Sequence, residues 1–544
     1  MTCRYFFPAI YLVLAACHKP GAPHHFNLII KGGTVIDGTG NQPFTADVGI
    51  RVDTIAAIGN LQQATADSVI KANGLVVAPG FINMNSMAVE ALLLDGKAMS
   101  DVQQGVTMEI FGEGWSPAPL RRSSKARTNT PWETMDDFFN YLQQKGTSVN
   151  FASFVGHSTV RNCILGLKNR QPTTHEMEQM KNLVAEAMQQ GALGLSSSLI
   201  YPPATFATTA ELTQLAETAA KYNGLYITHI RSESDYIYSG LREAFRIGRD
   251  ANISVEIYHL KINHARNWNK IDTVLALIDS ARQSGLRVTA NMYPYVASNT
   301  ALAERIPDWA QEGGGPALRK RLTNPVTRKR ILYEMQAGIP TPNSHPGQVV
   351  IQSFRSDSLN RLYAGKRLDE VARLHGKNAD ETVLDLILAD KSPAAALYFL
   401  QSDENVKKIM QQPYVSFGSD GAALDTSVIF AGWKTHPRAF GTFARVLGKY
   451  VREEKVITLP EAIRRMTGLP AENLKLHRRG LLKPGYYADI AIFNPQTITD
   501  NATYEKPMQL ATGVEYVVVN GVLVLYKGRH TGAMPGRAIR HGRH

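Results

Sequence analysis

The sequence predicts an α/β fold: a (β/α)8 barrel accompanied by a small sheet domain assembled from both chain ends. Three observations predict it. Short apolar runs alternate with amphipathic helices through the middle of the chain. Blocks rich in β-pattern and turn dipeptides flank that middle on both sides. At 544 residues the chain also exceeds what one hydrophobic core fills, so more than one unit is needed.

The chain opens with MTCRYFFPAIYLVLAAC, in which Arg4 precedes an apolar stretch too short to span a bilayer. Leu14-Ala15-Ala16-Cys17 resembles a bacterial lipobox. Residues 1–16 are therefore expected to be a signal peptide, with Cys17 lipidated and residues 18–25 a tether. The expected setting is an exported lipoprotein of the cell envelope, facing the periplasm and touching membrane only through its lipid. A cysteine beside small residues and destined for burial is the plainer alternative. Of three cysteines, Cys3 is then discarded and Cys17 acylated, leaving Cys163 without a disulfide partner. No later apolar run is long enough to cross a membrane.

From Asn27 onward, LIIKGGTVIDGTG and DVGIRVDTIAAIGN read as short strands broken at glycine turns. ADIAIFNP and VEYVVVNGVLVLYKG mirror them near the other end, with Asn520-Gly521 as a type I′ hairpin signal. Residues 27–79 and 470–537 are assigned to this β-domain, and 80–469 to the barrel. In the middle, one helix opens at the capping box Thr173-x-x-Glu176 and carries Met177, Met180, Val184 and Met188 at helical spacing. A second opens at Thr208-x-x-Glu211, and a third runs from Ile271 to Ala281 and stops at Gly285. Eight candidate strands lie between them: GFIN, TMEIFG, NFASFVG, ALGLSSSL, LYITHI, VEIYHL, VTANMY and YVSFG. Residues 303–400 break the rhythm and are expected to be an insertion.

The formal charge of +12 comes from lysines and arginines spread along the chain, without a basic stripe or interleaved aromatics. Nucleic acid is not an expected partner, and nothing in the pattern sets an oligomeric state. The chemistry of such a barrel sits where strands pass into the following loops. Those ends offer Glu113, His157, His229, His259 and Ser419-Asp420. Two imidazoles and one carboxylate form a catalytic zinc set with an open fourth position. His229 and His259 are one βα repeat apart, Glu113 is the third candidate ligand, and Asp420 is placed to act as base. Each residue also has an ordinary reading: a hydrogen-bonded histidine, a solvated loop carboxylate, a helix N-cap at Ser419-Asp420.

These residues lie in strings that resemble the D-aminoacylase (N-acyl-D-amino-acid deacylase) group of the amidohydrolase superfamily. The strings are APGFI, QGVTMEIFGEGWS, FVGHSTVR, GALGLSSSLIYPP, YITHIRSES, IYHLK, NMYPY, GSDG, HPRAFGTFARVLGKYVRE, MTGLPAENL, ADIAIFNP and VNGV. The resemblance implies a distorted barrel, a β-sandwich from both termini and a late insertion. It implies zinc held by Glu113, His229 and His259, with Asp420 as acid/base. His157 is offered as a partner of the metal in holding the oxyanion. Lys261, Arg438, Tyr201 and Tyr293 match positions suited to anchoring the substrate's α-carboxylate.

One departure stands out. Where the family has a strand-one H-x-H, this chain reads GFINMNSM, with Asn85 and Met87 at the imidazole positions and Asn83 for the preceding Asp. Asn291 likewise replaces the Asp before the YPY turn. An amide oxygen and a thioether hold zinc poorly, so one ion is expected. The expected reaction is hydrolysis of an N-acyl-D-amino acid to a carboxylic acid and a D-amino acid. The alternatives are a relative cutting D-residue-containing dipeptides or cyclic amides, and a binding protein that has lost turnover.

Overall fold

The computed structural model describes residues 25–120, 130–339 and 342–542. The signal peptide, Cys17 and most of the tether lie outside the described residues. Among those described, no helix is long and apolar enough to cross a membrane.

All eight barrel strands form where the apolar runs lie. They are Phe81–Asn83, Val106–Phe111, the pair Asn150–Ser153 and Val155–Gly156, Gly194–Ser198, Leu225–His229, Ser254–Ile257, Val288–Met292 and Val415–Phe417. Nearly every residue in them is buried, as expected of parallel strands covered on both faces. The ring is distorted into a three-stranded and a six-stranded parallel sheet. Strand three belongs to both: it bends at Phe154, pairing with strand two before the bend and with strand four after it. The second seam lies between strands one and eight. There Met84 N donates to Phe417 O at 3.2 Å, and Asp420 N donates to Asn85 O at 2.8 Å.

The helices follow their caps. Thr173 and Glu176 form the reciprocal capping box of Thr174–Gln189, whose Met177, Met180, Val184 and Met188 enter the main core. Each such burial is worth roughly 1.5–3 kcal/mol. Thr208 caps Thr209–Ala220 by accepting from Glu211 N, yet the Glu211 carboxylate is drawn inward instead of closing the box. The third helix spans Ile271–Gln283.

The β-domain is a nine-stranded sheet that joins the two ends of the chain where Val76–Pro79 pairs antiparallel with Ile490–Phe493. Side chains alternate across it with period two. Val77, Ile490 and Ile492 enter a separate apolar cluster with Leu28, Ile30 and Val48. Val76, Ala78, Ala491 and Phe493 face the barrel core. Asn520 and Gly521, at φ of +48° and +79°, make the tight hairpin. Between strands seven and eight, an antiparallel sheet of Ser298–Ala301, Val349–Ser353 and Ala395–Tyr398 starts the insertion slightly before residue 303 and gives it a core of its own.

Candidate active site

Glu113 follows strand two between Gly112 and Gly114, whose φ values are +105° and +66°. A Cβ on Gly114 would lie 2.5 Å from Ser198 Cβ, and one on Gly112 would lie 2.7 Å from Phe154 O. Only glycine fits at either place, and the pair turns the Glu113 side chain into the barrel mouth. Its Oε1 accepts from His229 Nδ1 at 2.9 Å and from His259 Nε2 at 3.0 Å. One donor atom from each of the three residues lies within 4.8 Å of the others. All three are buried, and the two rings cross at 87° with centroids 4.5 Å apart.

His259 and Asp420 both sit in left-handed backbone, at φ of +30° and +48°. Such a conformation costs an ordinary residue roughly 1–2 kcal/mol. The surroundings enforce it: Asn291 Oδ1 accepts from His259 N at 2.8 Å, and Asn85 O accepts from Asp420 N. Strain held at the ends of strands six and eight is a mark of a working site.

Glu233, which sequence reasoning passed over inside the YITHIRSES string, lies on the far side of the two rings. Its Oε1 is 3.1 Å from His259 Nδ1 and 3.4 Å from His229 Nε2, and it accepts from Lys261 Nζ at 2.6 Å. Burial pushes both the Glu113 and Glu233 carboxyls up, but the histidines reverse this and hold both well below the usual range, with Lys261 helping at Glu233. Burial and Lys261 push His259 down, but Glu113 and Glu233 carry it up to about 10. The pocket therefore draws positive charge to itself.

Lys261 Nζ also lies 2.8 Å from His259 Nδ1. Arg438 Nη2 pairs with Asp420 Oδ2 at 2.9 Å, while its Nε and Nη1 are buried without partners. Both cations stand over the Tyr293 ring, at 5.6 and 4.7 Å from its centroid. The Tyr201 ring is 5.4 Å from that of His229, and its hydroxyl meets Thr300 Oγ1 of the insertion at 3.0 Å. Asp420 is pushed up by burial and by Glu113 and pulled down by Arg438, His259 and Lys261.

His157 has a different partner from the two other histidines. It follows strand three, but its Nε2 meets Glu211 Oε1 at 2.9 Å, and the same carboxylate receives the buried Arg161. The ion cluster ties helix His157–Ile164 to helix Thr209–Ala220, and His157 Nδ1 is buried without a partner among the described residues.

An amidohydrolase family profile matches residues 68–525. The chain belongs to the amidohydrolase family. It is a metal-dependent hydrolase acting on amide bonds. The amidohydrolase chain is 34% identical over 528 residues to a D-aminoacylase of Alcaligenes xylosoxydans xylosoxydans, covering 94% of this chain and 97% of that one. Among solved structures, it is similar to the N-acyl-D-glutamate deacylase of Bordetella bronchiseptica complexed with zinc and a phosphonate inhibitor. That likeness has a TM-score of 0.80 at 30% identity, covering 95% of this chain and 100% of the other. It is also similar to a D-aminoacylase whose binuclear metal centre shows one-metal activation and second-metal attenuation. There the TM-score is 0.79 at 32% identity, with 95% and 100% covered.

Proposed function

We propose that this amidohydrolase hydrolyses N-acyl-D-amino acids to a carboxylic acid and a free D-amino acid, using one Zn2+. The observation that carries the reading is the meeting of His229 Nδ1 and His259 Nε2 on Glu113 Oε1. The D-configuration of the substrate is taken from the relatives alone.

The residues fit a zinc ion. The donor set is one carboxylate oxygen and two imidazole nitrogens. Two carboxylates flank the rings, with Glu233 Oε1 3.4 Å from His229 Nε2 and 3.1 Å from His259 Nδ1. Glu113, His229 and His259 would hold the ion, with Glu233 steadying the rings from behind. A second ion lacks support: Asn85 Nδ2 donates to Glu113 Oε2 at 2.8 Å, and Met87 is 46% exposed. When bound, zinc supplies Lewis acidity that polarises the amide carbonyl and acidifies water.

The chain's own groups do the rest. Arg438 holds Asp420 Oδ2 and leaves Oδ1 free to take a proton from the attacking water. The same oxygen then returns that proton to the leaving nitrogen. The two unpartnered donors of Arg438 bind the α-carboxylate, over the flat face of Tyr293. Lys261, already paired with Glu233, adds charge to that corner. Tyr201 walls the other side against the insertion. The proposed setting is the cell envelope, tested by palmitate labelling that Cys17→Ser abolishes.

The deciding experiment combines metal analysis with amine release from a panel of N-acetyl-D- and N-acetyl-L-amino acids. One zinc per chain and release from the D-series alone is expected. Two ions per chain would overturn the one-zinc reading. Release only from dipeptides or cyclic amides, or none under zinc, manganese or cobalt, would overturn the substrate.

A further inference from the structure

Two acidic side chains beneath the seam between strands one and eight take no part in the proposed chemistry. Asp101 lies on the turn of helix Met99–Val102 and Glu109 in strand Val106–Phe111, and they are 1% and 0% exposed. The two carboxyl groups are in hydrogen-bonding contact with one another. Among the described residues, no lysine, arginine or histidine pairs with either. Their other partners are Ser100 Oγ, 2.8 Å from Asp101 Oδ2, then Ser86 and Asn83. Asn83 Nδ2 lies 2.9 Å from Glu109 Oε2 and 3.3 Å from Asp101 Oδ1.

Two ionised carboxylates held in contact in a buried site repel strongly. Burial lifts Asp101 to about 7, and burial with the Asp101 charge lifts Glu109 well above its usual range. Glu109 Oε1 is buried and meets no donor. A proton between the two groups turns the repelling oxygens into donor and acceptor. The remaining negative charge then grips the Asn83 amide.

Asn83 passes that grip on. Its Nδ2 is 2.8 Å from Ser419 Oγ, and its Oδ1 accepts from Ser419 N at 2.8 Å. Ser419 Oγ in turn accepts from Gly421 N at 3.1 Å. Asn83 thereby holds the residue before Asp420, and Ser419 Oγ holds the residue after it.

We propose that Asp101 and Glu109 share one proton and, through Asn83, form the positioning device that aims Asp420. The proposal rests on the reading of Asp420 as the base. In it, Asn83, Asp101 and Glu109 are positioning residues, and the asparagine at 83 is required: an aspartate there would bring a third carboxyl into the same pocket.

Infrared spectroscopy of the full chain tests the shared proton without any turnover. The wild type should show the C=O stretch of a buried protonated carboxyl at neutral pH that the Glu109→Gln variant lacks, and a spectrum unchanged by that substitution overturns the proposal. Kinetics test the positioning. Asn83→Ala should lower kcat roughly 10²-fold, as a displaced catalytic group does, with KM held within about twofold. Glu109→Gln keeps a donor and should retain kcat within about threefold, whereas Glu109→Leu should lose it as Asn83→Ala does. A change in KM instead of kcat, or full kcat in Glu109→Leu, overturns the positioning role. If Asp420→Asn turns over normally, the base reading fails and the positioning role with it, while the infrared band still decides the shared proton separately.

Discussion

Replacing Arg438 by methionine separates the two jobs proposed for one guanidinium. Its Nη2 holds Asp420, while Nε and Nη1 are buried and unpartnered. A hydrogen bond to a charged group stabilises by roughly 1.5–3 kcal/mol, so two to a substrate carboxylate contribute about 3–6 kcal/mol. At about 1.4 kcal/mol per decade, kcat/KM for an N-acetyl-D-amino acid should fall roughly 10²–10⁴-fold from this cause alone. The control is the same substrate with its α-carboxylate converted to a carboxamide. That analogue has already lost the contact, so Arg438→Met should lower its kcat/KM only through Asp420. The assay is steady-state amine release on both substrates with both proteins. A loss of equal size for acid and carboxamide would refute the carboxylate contact and leave Arg438 solely a partner of Asp420.

The remaining predictions concern the base and the scaffold. Arg438 pulls the Asp420 carboxyl down, so its removal lets burial and Glu113 push that carboxyl higher. The base works only when deprotonated, so the acidic limb of kcat/KM for the carboxamide should move to higher pH in Arg438→Met; a limb shifted the other way refutes the assignment. Asp420→Asn should lose turnover by about 10²–10⁴-fold while metal analysis finds the wild-type zinc content. Glu211→Ala strands the fully buried Arg161 and His157 and should cost about 3–5 kcal/mol, read as a lower thermal midpoint with zinc content unchanged. Wild-type heat resistance would show that this ion cluster is dispensable.

Much of the architecture was legible because buried parallel strands leave plain apolar runs and the helices announce themselves by caps. Thr173 and Glu176 are neighbours in sequence, so their box could be read directly. Glu211 shows the limit: the same pattern stood at Thr208, but a buried arginine and histidine from another helix claimed the carboxylate. Position at a strand end tells which rim a residue belongs to, not which way its side chain turns. His157 follows strand three and His229 ends strand five, yet one faces Glu211 and the other Glu113. Glu233 was invisible because, besides His229 four residues back, its partners lie 26 and 28 residues onward, at His259 and Lys261, and only folding brings them to it. The Arg438–Asp420 pair is likewise a contact between loop and helix that no local periodicity encodes.

The barrel's division into two sheets gives the candidate metal site a mechanical meaning. Glu113 projects from the smaller sheet, and both histidines belong to the larger. A cation clasped there would rivet the halves of the ring together, and at a hundredfold excess over its dissociation constant mass action would add about 2.7 kcal/mol of resistance to unfolding. Chelation would then do more than idle the chemistry: it would slacken the ring itself, so that the supply of metal would set how long each folded copy survives.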